Sequence, residues 1–191
     1  LFSQMQIGHL VSEYIDSDSE KYLITNIIKK ATQVLDSSEE SNALGMDYIS
    51  GLSGALALLG NQNSRFSLYK DSQSLREKLH VLVASAFLEG QLEDFVGVAH
   101  GPIGLVLGLI RGGISLSNDE IDIFREKLKK RVMFEIKEVD NYPPEARQAW
   151  CNGIPGIAEA FAYVLNGTGG LDVYDQEFLI KLFREFQRDL G

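Results

Sequence analysis

The order of hydrophobic and polar residues along the chain predicts a set of amphipathic helices. After Ser17, after Ser117 and from about Asp175, apolar residues recur every three or four positions, which places them on one face of a helix. These predicted faces are Ile24, Ile27, Ile28, Ala31, Val34 and Leu35; Ile121, Phe124, Leu128, Val132 and Ile136; and Phe178, Leu179, Leu182, Phe183 and Phe186. The second helix carries a basic opposite face of Arg125, Lys127, Lys129 and Lys130. No stretch alternates apolar and polar residues, so strands are not expected.

Three Ser-x-x-Glu segments predict where longer helices begin. In such a capping box, the serine and the glutamate each satisfy a backbone N–H group that the first helical turn leaves without a partner. The three segments are Ser17-x-x-Glu20, Ser74-x-x-Glu77 and Ser117-x-x-Glu120.

A G-x-x-G pattern occurs three times at an almost constant spacing. Its first glycines are Gly51, Gly101 and Gly153, which are 50 and 52 residues apart, and each pattern is followed by a short apolar run. A period of this size indicates stacked repeats. We therefore expect each unit to pair a short inner helix, which opens on glycines, with a longer charged outer helix.

Two concentric rings of such helices form an α/α-toroid, and an open solenoid is the alternative. Glycines suit the inner ring, because helix starts without side chains can crowd around an axis. Three to three and a half units do not close a ring. We expect residues 1–191 to be part of a single, incomplete toroid domain within a longer polypeptide.

Composition excludes several classes of partner. The formal net charge of −9 argues against nucleic acid or an anionic membrane surface as the main partner, since both require a basic face. No apolar run approaches the roughly 20 residues of a transmembrane helix, and no signal peptide is visible. A single cysteine, Cys151, excludes an internal disulfide framework and fits a reducing compartment, so a cytoplasmic location is expected.

In a radial repeat, equivalent loops open on the same central mouth, so the residues just before each G-x-x-G are expected to converge. These residues are Asp47 and Ser50, then His100, then Arg147, Trp150, Cys151 and Asn152. Each also has an ordinary structural interpretation: Asp47 as a turn former, His100 as a helix cap, Arg147 as a surface ion pair, Cys151 as a small buried residue. Trp150 is expected in the core. No role is assigned to His9 or His80.

The chemistry of this set leaves two possibilities open. Cys151 near a histidine suits a nucleophile, with Asp47 as an orienting group, and a thiol hydrolase is then possible. Cys151 also suits zinc, but a catalytic zinc site needs about three protein ligands, and one cysteine with one histidine are too few.

Three segments together resemble the lanthionine synthetase C-like family, the lanthipeptide cyclases. They occur in the family's order, from about Gly45 to at least Ala160, and the second and third are specific to it. The segments are Met46-Asp47-Tyr48-Ile49-Ser50-Gly51-Leu52-Ser53-Gly54, Val98-Ala99-His100-Gly101 and Trp150-Cys151-Asn152-Gly153-Ile154-Pro155-Gly156.

The resemblance implies a seven-fold α/α-toroid with one zinc ion at its mouth. In that family the zinc activates a peptide cysteine, which adds to dehydroalanine or dehydrobutyrine and closes a thioether ring. By the matching motifs, Cys151 is a zinc ligand, His100 the general acid or base, and Asp47 and Arg147 its supporting residues. A histidine is suited to protonating the enolate that the addition generates. The implied partners are a dehydrated precursor peptide and the dehydratase that prepares it.

Two features depart from the family pattern. Asn152 stands where the family often has tyrosine, and the Cys-His-Gly motif with the other two zinc ligands does not occur before Gly191. We expect those ligands beyond Gly191, because Asp47, His100, Arg147 and Cys151 are all retained. A shortened, inactive relative is the alternative.

Two other functions compete with the cyclase. A non-catalytic toroid would bind a peptide or thiol ligand without metal. A toroid glycosidase would need a pair of inward carboxylates, and only Asp47 is a convincing one.

Overall fold

The fold is all-helical, as predicted. The computed structural model describes residues 5, 16–37, 45–61, 65–92, 94–113, 118–167 and 173–188, and these residues contain no strand. The helices within those ranges are α1 Ser17–Asp36, α2 Leu52–Gly60, a 3₁₀ helix Arg65–Leu68, α3 Lys70–Leu88, α4 Pro102–Arg111, α5 Asn118–Val139, α6 Pro144–Arg147, α7 Ile154–Gly167 and α8 Val173–Arg188.

The helices form two layers. The inner layer consists of α2, α4 and α7, which pack against one another in chain order. The outer helix α3 packs against both α2 and α4, and α5 packs against both α4 and α7, while α8 covers α7. The predicted alternation of inner and outer helices is therefore present. Closure of these layers into a complete ring stays a prediction.

Burial follows the predicted apolar faces. In α4 every side chain from Pro102 to Leu109 is buried, which explains why the inner helices consist of small and apolar residues. The outer helices bury one face only: Ile24, Ile28 and Ala31 in α1, Phe124, Leu128 and Val132 in α5, and Leu179 and Leu182 in α8. Phe183 was expected on the buried face but is 57% exposed, and the side chain of Phe186 lies outside the described residues.

Two helix starts differ from the capping-box prediction. The N-cap of α1 is Asp16, whose carboxylate accepts hydrogen bonds from the backbone N–H groups of Asp18 and Ser19, so Ser17 is already the first helical residue. Helix α3 begins at Lys70, which places Ser74 one turn inside it. The third segment falls at the start of α5, but Ser117 and the side chain of Glu120 lie outside the described residues.

Close contact between inner helices depends on glycine. The Ser53 hydroxyl of α2 is fully buried and donates to the Gly104 carbonyl of α4 at 2.7 Å. A Cβ atom at Gly108, one turn further along α4, would lie 2.1 Å from the same hydroxyl oxygen. The two helices therefore approach at a distance that only a residue without a side chain permits.

Candidate functional site

The three segments that precede the inner helices are joined by main-chain hydrogen bonds. We call residues 45–51, 95–101 and 148–153 the pre-helix loops. The Ile49 N–H donates to the Ala99 carbonyl at 3.3 Å, and the Ala99 N–H donates to the Cys151 carbonyl at 3.1 Å. Ile49, Ala99 and Cys151 each stand two residues before the first glycine of their repeat, so the same bond recurs between neighbouring repeats. The predicted convergence of the pre-helix loops is therefore present.

Gly97 sets the distance between the second and third pre-helix loops. Its φ angle is +92°, and a Cβ atom there would lie 2.3 Å from the Cys151 carbonyl oxygen and 2.5 Å from the Asn152 Cα. A side chain at this position would be strained by the backbone conformation and would push the third loop away. The glycine thus brings the residues around His100 against those around Cys151.

Asp47 interacts with its own loop and with the next repeat. One carboxylate oxygen, Oδ1, accepts a hydrogen bond from the Ser50 N–H at 2.7 Å, and Oδ2 accepts one from the Ser50 hydroxyl at 2.9 Å. The Nδ1 atom of His100 lies 3.7 Å from Asp47 Oδ1. The turn-forming interpretation and the His100-orienting interpretation are therefore both compatible with one position of the carboxylate.

The other sequence-derived site residues have different surroundings. Cys151 is exposed, so it is not the small buried residue considered above. Arg147 lies on α6 with its Nη1 atom 3.9 Å from Asp140 Oδ1 and is largely buried. The structure does not pair it with Asp47, whose carboxylate contacts Ser50 and faces His100.

The prediction of a core position for Trp150 is wrong. The indole is 37% exposed, and its Nε1–H donates to the Glu159 carboxylate of α7 at 2.6 Å. The reason is that the polar edge of an indole needs a hydrogen-bond acceptor, and Glu159 offers one at the surface of the inner layer.

Glu135 is a supporting residue that the sequence interpretation missed. It lies on α5, is fully buried, and its Oε2 atom accepts a hydrogen bond from the Gly97 N–H at 2.7 Å. Its Oε1 atom accepts from Arg131 Nε at 2.7 Å, and Arg131 also donates to the Phe95 carbonyl. Both ends of this ion pair therefore hold the pre-helix loop that carries His100.

Burial raises the pKa of Glu135, while the Gly97 N–H and Arg131 act in the opposite direction. A signal for this residue exists in the sequence. Glu135 stands seven residues after Leu128, three after Val132 and four before Val139, so the helical period places it on the buried face.

Comparison with known proteins gives one match, to the model of a protein family. The model of the family described as lanthionine synthetase C-like protein matches residues 9–186. The chain belongs to the lanthionine synthetase C-like family. No curated protein and no solved structure matches it significantly. His100, Asp47, Arg147 and Cys151 all lie within the part of the chain that matches this family.

The zinc ion expected of a lanthionine synthetase C-like protein can be tested against the donor groups. Over the described parts of the chain, no three His, Cys, Asp or Glu side chains lie close enough to hold a metal ion together. The exposed Cys151 thiol suits one ligand position, but these residues do not build a complete zinc site. Among the described helices, none is both long and apolar enough to span a bilayer.

Proposed function

We propose that this chain is part of a cyclase that forms lanthionine and methyllanthionine. The reaction is the addition of a peptide cysteine to dehydroalanine or dehydrobutyrine. The observation that carries the proposal is the position of His100, whose loop is bonded on one side to the loop of Asp47 and on the other side to Cys151. An acid or base at this shared edge, next to a thiol-bearing loop, suits thioether formation.

The proton transfer in this reaction is assigned to His100. The peptide thiol gives up its proton to water, and the electron pair of the resulting thiolate forms a bond to the β-carbon of the dehydro residue. The alkene electrons move onto the neighbouring carbonyl oxygen. A proton must then reach the α-carbon, and the half-exposed imidazole of His100 is proposed to deliver it. Asp47 is proposed to orient the imidazole through Nδ1.

The remaining site residues have supporting roles in the proposal. Cys151 is proposed as one ligand of a zinc ion, which would supply the positive charge needed to activate the peptide thiol. Arg147 is proposed to stabilise negative charge on the enolate oxygen. In this structure the Arg147 guanidinium lies near Asp140. The proposed role therefore requires the guanidinium to face the substrate instead.

The proposed partners are a dehydrated precursor peptide and the lanthipeptide dehydratase that prepares it. A net charge of −9 suits neither nucleic acid nor an anionic membrane surface. A cytoplasmic location, and the assignment of residues 1–191 to part of a single toroid domain, belong to the same proposal.

The proposal is tested with His100→Ala in the natural-length protein. The substrate is a model peptide with one cysteine and one dehydroalanine, and the readout is the loss of iodoacetamide-reactive thiol. We expect His100→Ala to slow cyclisation roughly 10²- to 10⁴-fold, as for other positioned acid–base groups. The matched control is His80→Ala, which removes the same ring from the outer helix α3. Cyclisation at the parent rate in His100→Ala would exclude the acid–base role, and peptide binding without cyclisation in the parent protein would favour a non-catalytic toroid.

A further inference from the structure

A cavity of about 630 Å³ lies between the inner helices α2, α4 and α7. Its polar lining comes from Tyr48, Asn61, Arg111 and Tyr163, while small and apolar residues of α2 and α4 form most of the remaining wall. Arg111 is the one charged residue of the lining among the described residues. The lining therefore combines a cation with two aromatic rings that belong to different repeats.

Arg111 is held between these two rings. Its Nη1 atom donates to the Tyr48 hydroxyl at 2.6 Å, and its guanidinium carbon lies 4.8 Å from the centre of the Tyr163 ring. A guanidinium stacked on an aromatic face and bonded at its edge is fixed in direction as well as in position. Arg111 ends α4, so it brings the second repeat into contact with the first and the third.

Glu159 continues the contacts towards the third pre-helix loop. Its Oε1 atom lies 3.8 Å from Arg111 Nη2, and its Oε2 atom accepts the hydrogen bond from Trp150 Nε1 at 2.6 Å. A row of four side chains thus runs from Tyr48 through Arg111 and Glu159 to Trp150. Its weakest step is the ion pair, since 3.8 Å exceeds hydrogen-bond length and Glu159 is half exposed.

The ends of this row adjoin the candidate site residues in sequence. Tyr48 directly follows Asp47, and Trp150 directly precedes Cys151. We infer that Arg111 is a positioning residue, which links the loop of Asp47 to the loop of Cys151 through Tyr48 on one side and Glu159 with Trp150 on the other. Its catalytic consequence rests on the proposed function, whereas its effect on Cys151 does not.

Reactivity of the Cys151 thiol provides the test. The rate of its alkylation by N-ethylmaleimide is measured from pH 6 to pH 9 and assigned to Cys151 by peptide mapping. We expect Tyr48→Phe, Arg111→Met and Trp150→Phe each to raise this rate about threefold or more, because each removes one step of the row and loosens the third loop. Arg111→Lys, which keeps the charge, is expected to restore part of the parent behaviour.

The controls separate a specific link from general loosening of the fold. Tyr142→Phe removes a hydroxyl from a half-buried residue three positions after α5, and Arg184→Met removes an exposed guanidinium from α8. Neither is expected to change the alkylation rate. The double variant Arg111→Met, Trp150→Phe is expected to match the single variants, since the two residues act in one row.

The outcomes distinguish this inference from the proposed function. An alkylation rate in Tyr48→Phe and Arg111→Met equal to that of the controls would overturn the inference, as would effects that multiply in the double variant. In the natural-length cyclisation assay, a lower kcat with an unchanged KM in Arg111→Met is expected. If His100→Ala slows cyclisation while Arg111→Met changes neither readout, only the role of Arg111 fails. If the parent protein binds the peptide without cyclising it, the proposed function fails, and the alkylation data still decide the role of Arg111.

Discussion

The His100 imidazole lies 3.7 Å from the Asp47 carboxylate, although the two residues belong to different repeats. Asp47 also accepts two hydrogen bonds from Ser50 within its own loop, and these fix the position of the carboxylate that faces the histidine. The side chain of Asp47 is mostly buried, with 16% exposure, whereas that of His100 is half exposed. An anchored acid behind an accessible imidazole is a suitable arrangement for a proton donor that must reach a peptide.

The two interactions of Asp47 can be separated by substitution. Asp47→Asn keeps an oxygen that accepts the Ser50 N–H but removes the charge that faces His100, whereas Asp47→Ala removes both. We expect both variants to slow cyclisation by roughly 10- to 100-fold, the usual effect of losing a partner that orients a site residue. Only Asp47→Ala is expected to lower the free energy of unfolding, by about 1 kcal/mol. Urea unfolding measures the second effect, and an Asp47→Asn variant with parent activity would argue that Asp47 serves the turn alone.

Gly97→Ala is expected to disturb the contact between the second and third pre-helix loops. The positive φ angle alone is worth about 1–2 kcal/mol in a residue with a side chain, and the clash with the Cys151 carbonyl adds about 1–3 kcal/mol. Gly113→Ala is the matched control, because Gly113 also has a positive φ of +67° but a Cβ atom there would lie 3.8 Å from the Gly60 carbonyl oxygen, an ordinary contact. Denaturant unfolding of both variants gives the contribution of the close approach by difference. Equal destabilisation in the two variants would show that the loops do not depend on the close approach at Gly97.

Glu135 is expected to give the protein a measurable pH dependence of stability. Because burial raises its folded-state pKa above the ordinary value of 4.5, the folded protein binds more protons than the unfolded chain at pH values just above 4.5. Stability therefore falls as the pH rises through the window between the ordinary and the raised pKa, by at most about 1.4 kcal/mol per pH unit.

The measurement is the difference in unfolding free energy between the parent protein and Glu135→Gln across this window. The contributions of the other titrating groups cancel in that difference. Loss of the ion pair with Arg131 shifts the difference by a constant amount and does not alter its slope with pH. We expect the unfolding free energy of the parent protein minus that of Glu135→Gln to decrease as the pH rises. An increase would show that Arg131 and the Gly97 N–H outweigh burial.

Cys151→Ala is expected to lower the zinc content of the natural-length protein. If the proposed zinc site exists, the parent protein should contain about one zinc ion per chain, and loss of one thiolate ligand should reduce this amount strongly. The content is measured by elemental analysis after dialysis, with Asn152→Ala as a control for a change in the same loop. A chelator should remove both zinc and cyclisation activity from the parent protein. Absence of zinc from the parent protein would exclude the metal-dependent mechanism.

The convergence of the site loops could be predicted from the sequence, because it depends on main-chain geometry. The G-x-x-G pattern marks equivalent positions, and stacking of equivalent units brings those positions to one edge. Asp47, His100 and Cys151 follow from that rule without knowledge of any side-chain contact. The paired layers follow in the same way from alternating short apolar and longer amphipathic segments.

The environments of individual side chains could not be predicted in this way. The start of α1 was misplaced by one residue because Asp16 competes with Ser17 as an N-cap, and both residue types are favoured there. Trp150 was expected in the core because hydrophobicity alone says nothing about Glu159, which lies on the following helix. The contact between Arg111 and Tyr48 joins residues 63 positions apart, and no local pattern indicates it.

The hydrogen bonds that join the pre-helix loops use only main-chain atoms, so they place no demand on the side chains they carry. The position directly before the first glycine is occupied by Ser50, His100 and Asn152 in successive repeats, on equivalent backbones. In this fold the main chain therefore determines where a loop residue lies, and the side chain alone determines its chemistry. A different side chain introduced at one of these positions would arrive at the same edge of the molecule with the helices beneath it unchanged. The backbone of the loops thus fixes a set of positions at which a substituted side chain would change the chemistry of this edge.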